Sequence, residues 1–259
     1  MPFKTRLLPL LRALPALRRQ VFSVSAGIAE ILFPCALVLS ALSYTDVLRT
    51  EGARTLLSLI DSLLATPLAV AMISYSASSR WEGRRPSLAG AVQLVRIRMR
   101  KVLMTGLVAG GVTFFLSWLA SAFSSLVGIL PALLGWLPVA GGVVSAAAAV
   151  VIWFVSLLLQ FAGHLLLVLG MLPLTADGMS GRMQLTRALQ LMRGGRESIP
   201  ALTLIFLLWA VVLGLHSLIA PVFPAIGLLP GLLSAFSAAA VSVVYLMERD
   251  RQEGPHFTV

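Results

Sequence analysis

Acids are scarce in this chain, with 10 Asp and Glu among 259 residues, and thiol and imidazole are scarcer, with one Cys and three His. A lone Cys35 excludes an internal disulfide, and the acids and histidines do not cluster at metal-ligand spacing. No HExxH, GxSxG or Walker-type glycine loop occurs, so neither zinc hydrolysis, a serine elbow nor a phosphate loop is encoded. We therefore expect no catalytic residue, no metal and no cofactor. Charge of either sign is also rare: 12% of residues are charged, against about 25% in a typical soluble domain.

What fills the chain is apolar. Hydrophobic residues make up 58% and mean hydropathy is +0.95. Six runs have the length of a membrane helix: 22–42, 55–75, 103–126, 144–172, 201–219 and 226–245. Drawn as spans, they leave 18 of the 20 Lys and Arg residues on one side, with only Arg49 and Arg54 opposite. The positive-inside rule then puts both termini in the cytoplasm, with the protein multi-pass in the membrane. The net charge of +10 lies in short loops beside span ends. There it faces anionic lipid headgroups, and nucleic acid is not an expected partner.

The fold class that follows is all-α, with three regions. Residues 1–20 alternate Leu with Arg and read as a basic amphipathic interfacial segment, broken by Pro9 and Pro15. Residues 21–247 form a six-helix transmembrane domain, and 248–259 a cytoplasmic tail. Cys35 follows Pro34 inside the first run as a small apolar filler. A cleavable leader fits poorly there, because the run carries Glu30 and five more spans follow.

Two amphipathic segments on the basic side are alike. One contains Ala91-Val92-Gln93-Leu94-Val95-Arg96, the other Ala188-Leu189-Gln190-Leu191-Met192-Arg193, offset by 97 residues. Each follows a glycine turn (Gly83; Gly178 and Gly181), with Ser87 and Ser180 as N-caps and Gly194-Gly195 as a stop. They read as cytoplasmic elbow helices. The match is either a parallel internal repeat or the common look of basic helices rich in Ala, Leu and Gln. The opposite face carries no charge in 131–142 or 220–225, and Trp136 reads as an interfacial anchor.

Small residues line one face of the third run, including Gly106, Gly110, Ser117 and Ser121, and the sixth run repeats this with Gly227 and Gly231. Helix packing is the simpler reading, a polar lining the other. Four ionisable groups lie inside spans. Glu30 and His164 stand at similar depth, with Gln160 one turn from His164, and Asp61 and His216 lie nearer the outer ends. Two acid–imidazole pairs able to pass protons are one reading; ordinary interfacial placement of Glu30, Asp61 and His216 is the other.

The turn Leu172-Pro173-Leu174-Thr175-Ala176-Asp177-Gly178, the stretch from Arg187 to Arg196, and Thr66-Pro67-Leu68 with Gly83 to Leu88 carry a resemblance. Over roughly 55–215 the chain resembles uncharacterised six-span bacterial inner-membrane proteins and the membrane domain attached to some glycerophosphoryl diester phosphodiesterases. The resemblance implies a six-helix module with both termini inside. It imports no phosphodiesterase chemistry, which belongs to a separate soluble barrel.

The function expected is non-enzymatic: a membrane component of a transport or envelope-maintenance assembly. Arg84, Arg85, Arg96, Arg98, Arg187, Arg193 and Arg196 would dock anionic lipid, a protein partner or a second copy, or would serve only to enforce topology. The alternative is an autonomous proton-coupled carrier using the acid–histidine pairs.

Overall fold

In the computed structural model the described residues are 15, 18–43, 51–134, 140–178, 183–194, 198–219 and 229–254. They are helical throughout apart from short turns, and no strand occurs among them. Helices are what an apolar chain must form in lipid, where each backbone N–H and C=O has to be satisfied within its own segment. In chain order they are α1 (Arg18–Gly27), α2 (Ala29–Ser43), α3 (Glu51–Ile60) and α4 (Thr66–Trp81), then α5 (Leu88–Ile97), α6 (Met99–Leu134) and α7 (Ala140–Thr175). α8 (Met183–Gly194), α9 (Ser198–Ile219) and α10 (Leu229–Glu253) complete the chain. A single π turn, Asp61–Ala65, joins α3 to α4.

Five helical stretches are long and apolar enough to cross a membrane: Thr55–Trp81, Met99–Phe123, Gly142–Thr175, Ser198–His216 and Leu229–Glu253. The first expected span differs. α1 and α2 meet at an 85° bend, so residues 22–42 are a broken pair and not one straight helix. The break sits at Gly27-Ile28, where the Arg80 side chain crosses so closely that a Cβ on Gly27 would lie 2.5 Å from its Nε. With 15 residues, α2 is about 22 Å long, short of the ~30 Å hydrocarbon core.

α10 is the central pillar. Of its most apolar stretch 72% is buried, against 11–28% for the other four. It packs against α2, α4, α7, α8 and α9. Its composition explains this position. Gly231, Ala235, Ala238, Ala239 and Ser242 are small enough for neighbouring backbones to close on it from several sides. A Cβ added at Gly231 would overlap Ser40 Oγ and the backbone of Ala36 and Ser40 in α2. Toward α9, Phe161, Phe206 and Trp209 fill the space with rings 5.3 and 5.8 Å apart.

α6 and α7 form a long antiparallel hairpin. No Asp, Glu, Lys or Arg occurs between Lys101 and Asp177. Each helix has 36 residues, about 54 Å, so in a bilayer the hairpin must tilt or carry its uncharged tip beyond the acyl chains. Hydroxyls join the two helices: Thr113 Oγ1 lies 2.9 Å from the Gly163 carbonyl, and Ser156 Oγ donates to Ala120 O at 3.1 Å.

The small-residue face of α6 is used over part of its length. Gly106 and Gly110 are buried, and a Cβ on Gly106 would lie 2.8 Å from Pro67, while one on Gly110 would overlap the Ser62 carbonyl. Ser117 is half-buried and Ser121 is exposed, its carbonyl accepting from Ser125 Oγ at 3.0 Å. Within this chain Ser121 therefore faces outward and not into the α6 packing seam. Gly106 and Gly110 are covered by Ser62, Leu63 and Pro67, in the π turn and the start of α4, and α3 has no substantial packing on α6. Gly227, Trp136, Arg196 and nearly all of 1–20 lie outside the described residues.

Candidate functional site

The polar residues gather where α4, α7, α8 and α10 end, at what we term the basic end. Asp177 follows α7, and Gly178 takes a left-handed φ of +69° to turn the chain toward α8. The Asp177 carboxylate accepts from Tyr245 Oη at 2.7 Å and from Arg249 Nη1 at 3.1 Å. Arg187 Nε stands 3.4 Å away, an ion pair without hydrogen-bond geometry. Arg249 is 3% exposed and reaches Asp250 at 3.3 Å, while Asp250 accepts from Trp81 Nε1 at 2.7 Å. Arg187 continues to Glu253 at 2.8 Å. Burial works against the Arg187 cation, but Tyr245, Glu253 and Asp177 outweigh it and lift its pKa, so it stays charged at any ordinary pH.

This network holds the last turns of α10 against the bundle. Residues 248–253 are therefore helix, and Glu248 and Arg249 are buried, where a cytoplasmic tail was expected. Sequence reasoning missed Trp81, Asp177, Tyr245, Arg249, Asp250 and Glu253. A signal existed: Tyr245, Arg249 and Glu253 recur every four residues, one polar face at the end of an apolar helix.

The amphipathic segments are helices of matched design. α4 ends at Gly83 with φ +77°, where Arg84 N donates to Ser79 O at 2.9 Å, and α7 ends before Gly178. Ser87 caps α5, accepting from Gly90 N at 3.1 Å; Ser180 is outside the described residues. At the 97-residue offset the burial agrees at most positions, the exceptions being Leu94, half-buried where Leu191 is buried, and Ser87, exposed where Gln184 is buried. Ala91 and Ala188 are both 0% exposed, Val95 6% and Met192 5%, Leu88 40% and Leu185 37%, Val92 50% and Leu189 45%. Each helix thus buries one face on the bundle and turns apolar side chains outward beside an exposed arginine, Arg96 or Arg193.

Of the remaining arginines, Arg84 pairs with Glu82 and Arg85 is exposed. Arg98 donates to the Leu174 carbonyl and so ties the start of α6 to the end of α7. Arg98 and Arg187 are structural ties more than free docking groups.

The acid–histidine pairs do not form. His164 Nε2 shares a 2.7 Å hydrogen bond with Ser237 Oγ, and Glu30 is exposed on α2. The reason is architectural, since α10 contacts both α2 and α7 and presents Ser237 to the imidazole. Gln160 is half-buried one turn away. Asp61 accepts from Thr66 Oγ1 at 2.8 Å, a local bond across the π turn. His216 lies on α9, which packs on α7, α8 and α10, and its Nε2 has no partner among the described residues. A double-mutant cycle of Glu30→Gln with His164→Gln should be additive within about 0.5 kcal/mol in an unfolding assay. The cycle of His164→Gln with Ser237→Ala should show coupling of about 0.6 kcal/mol.

Among the described residues no group of three or more His, Cys, Asp or Glu could hold a metal ion. Comparison with protein-family models, curated proteins and solved structures finds no match to this chain.

Proposed function

We propose that this chain is a non-enzymatic multi-pass protein of a bacterial inner membrane, with α1 and α2 supplying a sixth, bent span and both termini cytoplasmic. It acts at the cytoplasmic leaflet, where α5 and α8 serve as interfacial elbows that engage anionic lipid in a transport or envelope-maintenance assembly. The observation that carries this reading is the matched burial of α5 and α8. Two helices with one face on the bundle, an outward apolar row and an exposed arginine have the composition of helices lying in a headgroup layer. Their shared offset supports a parallel repeat, α4-α5-α6 with α7-α8-α9. The sequence resemblance to six-span membrane modules is in keeping with it.

The test uses the exposed cations alone, since Arg98 and Arg187 hold the fold. Arg85→Gln, Arg96→Gln and Arg193→Gln are combined, and lipid retained in polymer-bounded membrane discs is quantified. Near a membrane surface each cation is worth about 1 kcal/mol. The wild type should retain anionic lipid above its bulk fraction, and the triple variant should lose most of that excess at unchanged yield. An excess that survives the triple change would remove the elbows from lipid engagement.

A further inference from the structure

Arg100 and Lys101 occupy the first turn of α6, a position that repels cations because the helix dipole is positive there. Both are exposed, and neither side chain has an ion-pair or hydrogen-bond partner among the described residues. The groove beside them is lined by no carboxylate, and the ion-paired carboxylates of the described residues are engaged elsewhere: Glu82 with Arg84, Asp177 with Arg187 and Arg249, Asp250 with Arg249, Glu253 with Arg187. An uncompensated positive site therefore stands at the basic end.

From it a groove of about 710 Å³ runs along α6 between α7 and α8. Met104, Val108 and Val112 form one wall at i, i+4 and i+8, and Leu166 and Gly170 of α7 form the facing wall. At Gly170 the α7 backbone itself lines the groove, and a Cβ there would come to 3.5 Å from Thr105, an ordinary contact. α8 closes the charged end, pinned by a 3.2 Å bond between Thr105 and the buried Gln184. From Lys101 to Val112 the groove rises about 16 Å, half of a ~30 Å hydrocarbon core. Two cations at the surface and an apolar trough reaching the midplane match the shape and charge of one phospholipid in one leaflet.

We propose that this groove binds an anionic glycerophospholipid, its phosphate between Arg100 and Lys101 and one acyl chain laid along Val108 and Val112 against Gly170. The site rests on the reading that the basic end lies at a bilayer surface, and it names the lipid class which that surface selects.

The full-length protein is reconstituted in phosphatidylcholine nanodiscs doped with a photoactivatable phosphatidylglycerol carrying a diazirine on one acyl chain. A phosphatidylcholine analogue with the same chain serves as reference. Labelling should map to residues 101–112 and 166–170 and exceed the reference by about thirtyfold, the weight of two interfacial cations. Arg100→Gln with Lys101→Gln should abolish the preference. Val108→Trp, at a site already 72% exposed and so not needed for packing, should block labelling with both cations intact. Equal labelling by the two analogues, a preference that survives the double change, or cross-links from this groove to a second copy would overturn the site. A water-accessible α8, read separately by spin labelling, would instead bring down the surface reading itself.

Discussion

Replacing Asp177 with alanine is expected to destabilise the folded chain by about 3–5 kcal/mol, the cost of removing one partner from a buried ion pair. Three groups lose their anion at once: the Tyr245 hydroxyl, the Arg249 guanidinium and Arg187. Arg249 suffers most, because at 3% exposure it cannot turn to water and keeps only Asp250. Tyr245→Phe removes a single 2.7 Å bond to a charged acceptor and should cost less, about 1.5–3 kcal/mol. Asp177→Ala combined with Arg249→Met should be no worse than Asp177→Ala alone, since the orphaned charge leaves with its partner. Arg84→Gln is the reference, an exposed pair with Glu82 expected within about 1 kcal/mol of wild type. Unfolding by denaturing detergent, followed by the fluorescence of Trp81 and the other tryptophans, gives these differences. A shift below 0.5 kcal/mol for Asp177→Ala would mean that the network does not hold α10 to the bundle.

Two adjacent glycines supply the second large contrast. Gly110→Ala should destabilise by about 1–3 kcal/mol, because the new methyl overlaps the Ser62 carbonyl and the backbone of the π turn has to move. At Gly111 no atom lies within 4 Å of an added Cβ, so Gly111→Ala should be neutral or stabilising by up to about 1 kcal/mol through helix propensity. Gly231→Ala belongs with Gly110, its methyl directed into the α2 backbone at Ala36 and Ser40. Equal effects at 110 and 111 in the same unfolding assay would contradict the packing of α6 on the π turn.

These two contrasts mark where the sequence was informative. Small-residue periodicity located Gly106, Gly110 and Gly231 because close approach needs only a missing side chain, a property visible in one dimension. At Ser121 the same pattern runs onto an exposed face, past the Asp61–Ala65 segment that packs on α6, and nothing in the apolar run of 55–75 announced that π turn. The amphipathic helices α5 and α8 were legible for a similar reason: the Ser87 cap, left-handed Gly83 and Gly178 and a 97-residue offset are all local. Long-range partners were not. Depth in a span was taken as proximity for Glu30 with His164 and Asp61 with His216, but depth does not say which helices are neighbours: α10 packs on both α2 and α7, and the Asp61 turn packs on α6, not on α9. The Asp177 network was hidden because its members come from four separate helix ends, each unremarkable by itself.

The most direct measurement on the central claim is the membrane depth of α5 and α8. Single nitroxides are placed at Val92 and Leu189 in a Cys35→Ala background, in lipid vesicles, and their relaxation by oxygen and by a water-soluble nickel chelate is compared. Our account predicts the same depth at both sites, just beneath the headgroups, and reduction by an impermeant agent from the cytoplasmic side alone. Strong relaxation of either nitroxide by the aqueous chelate, or depths that differ by more than about one helical turn, ~5.4 Å, would contradict it.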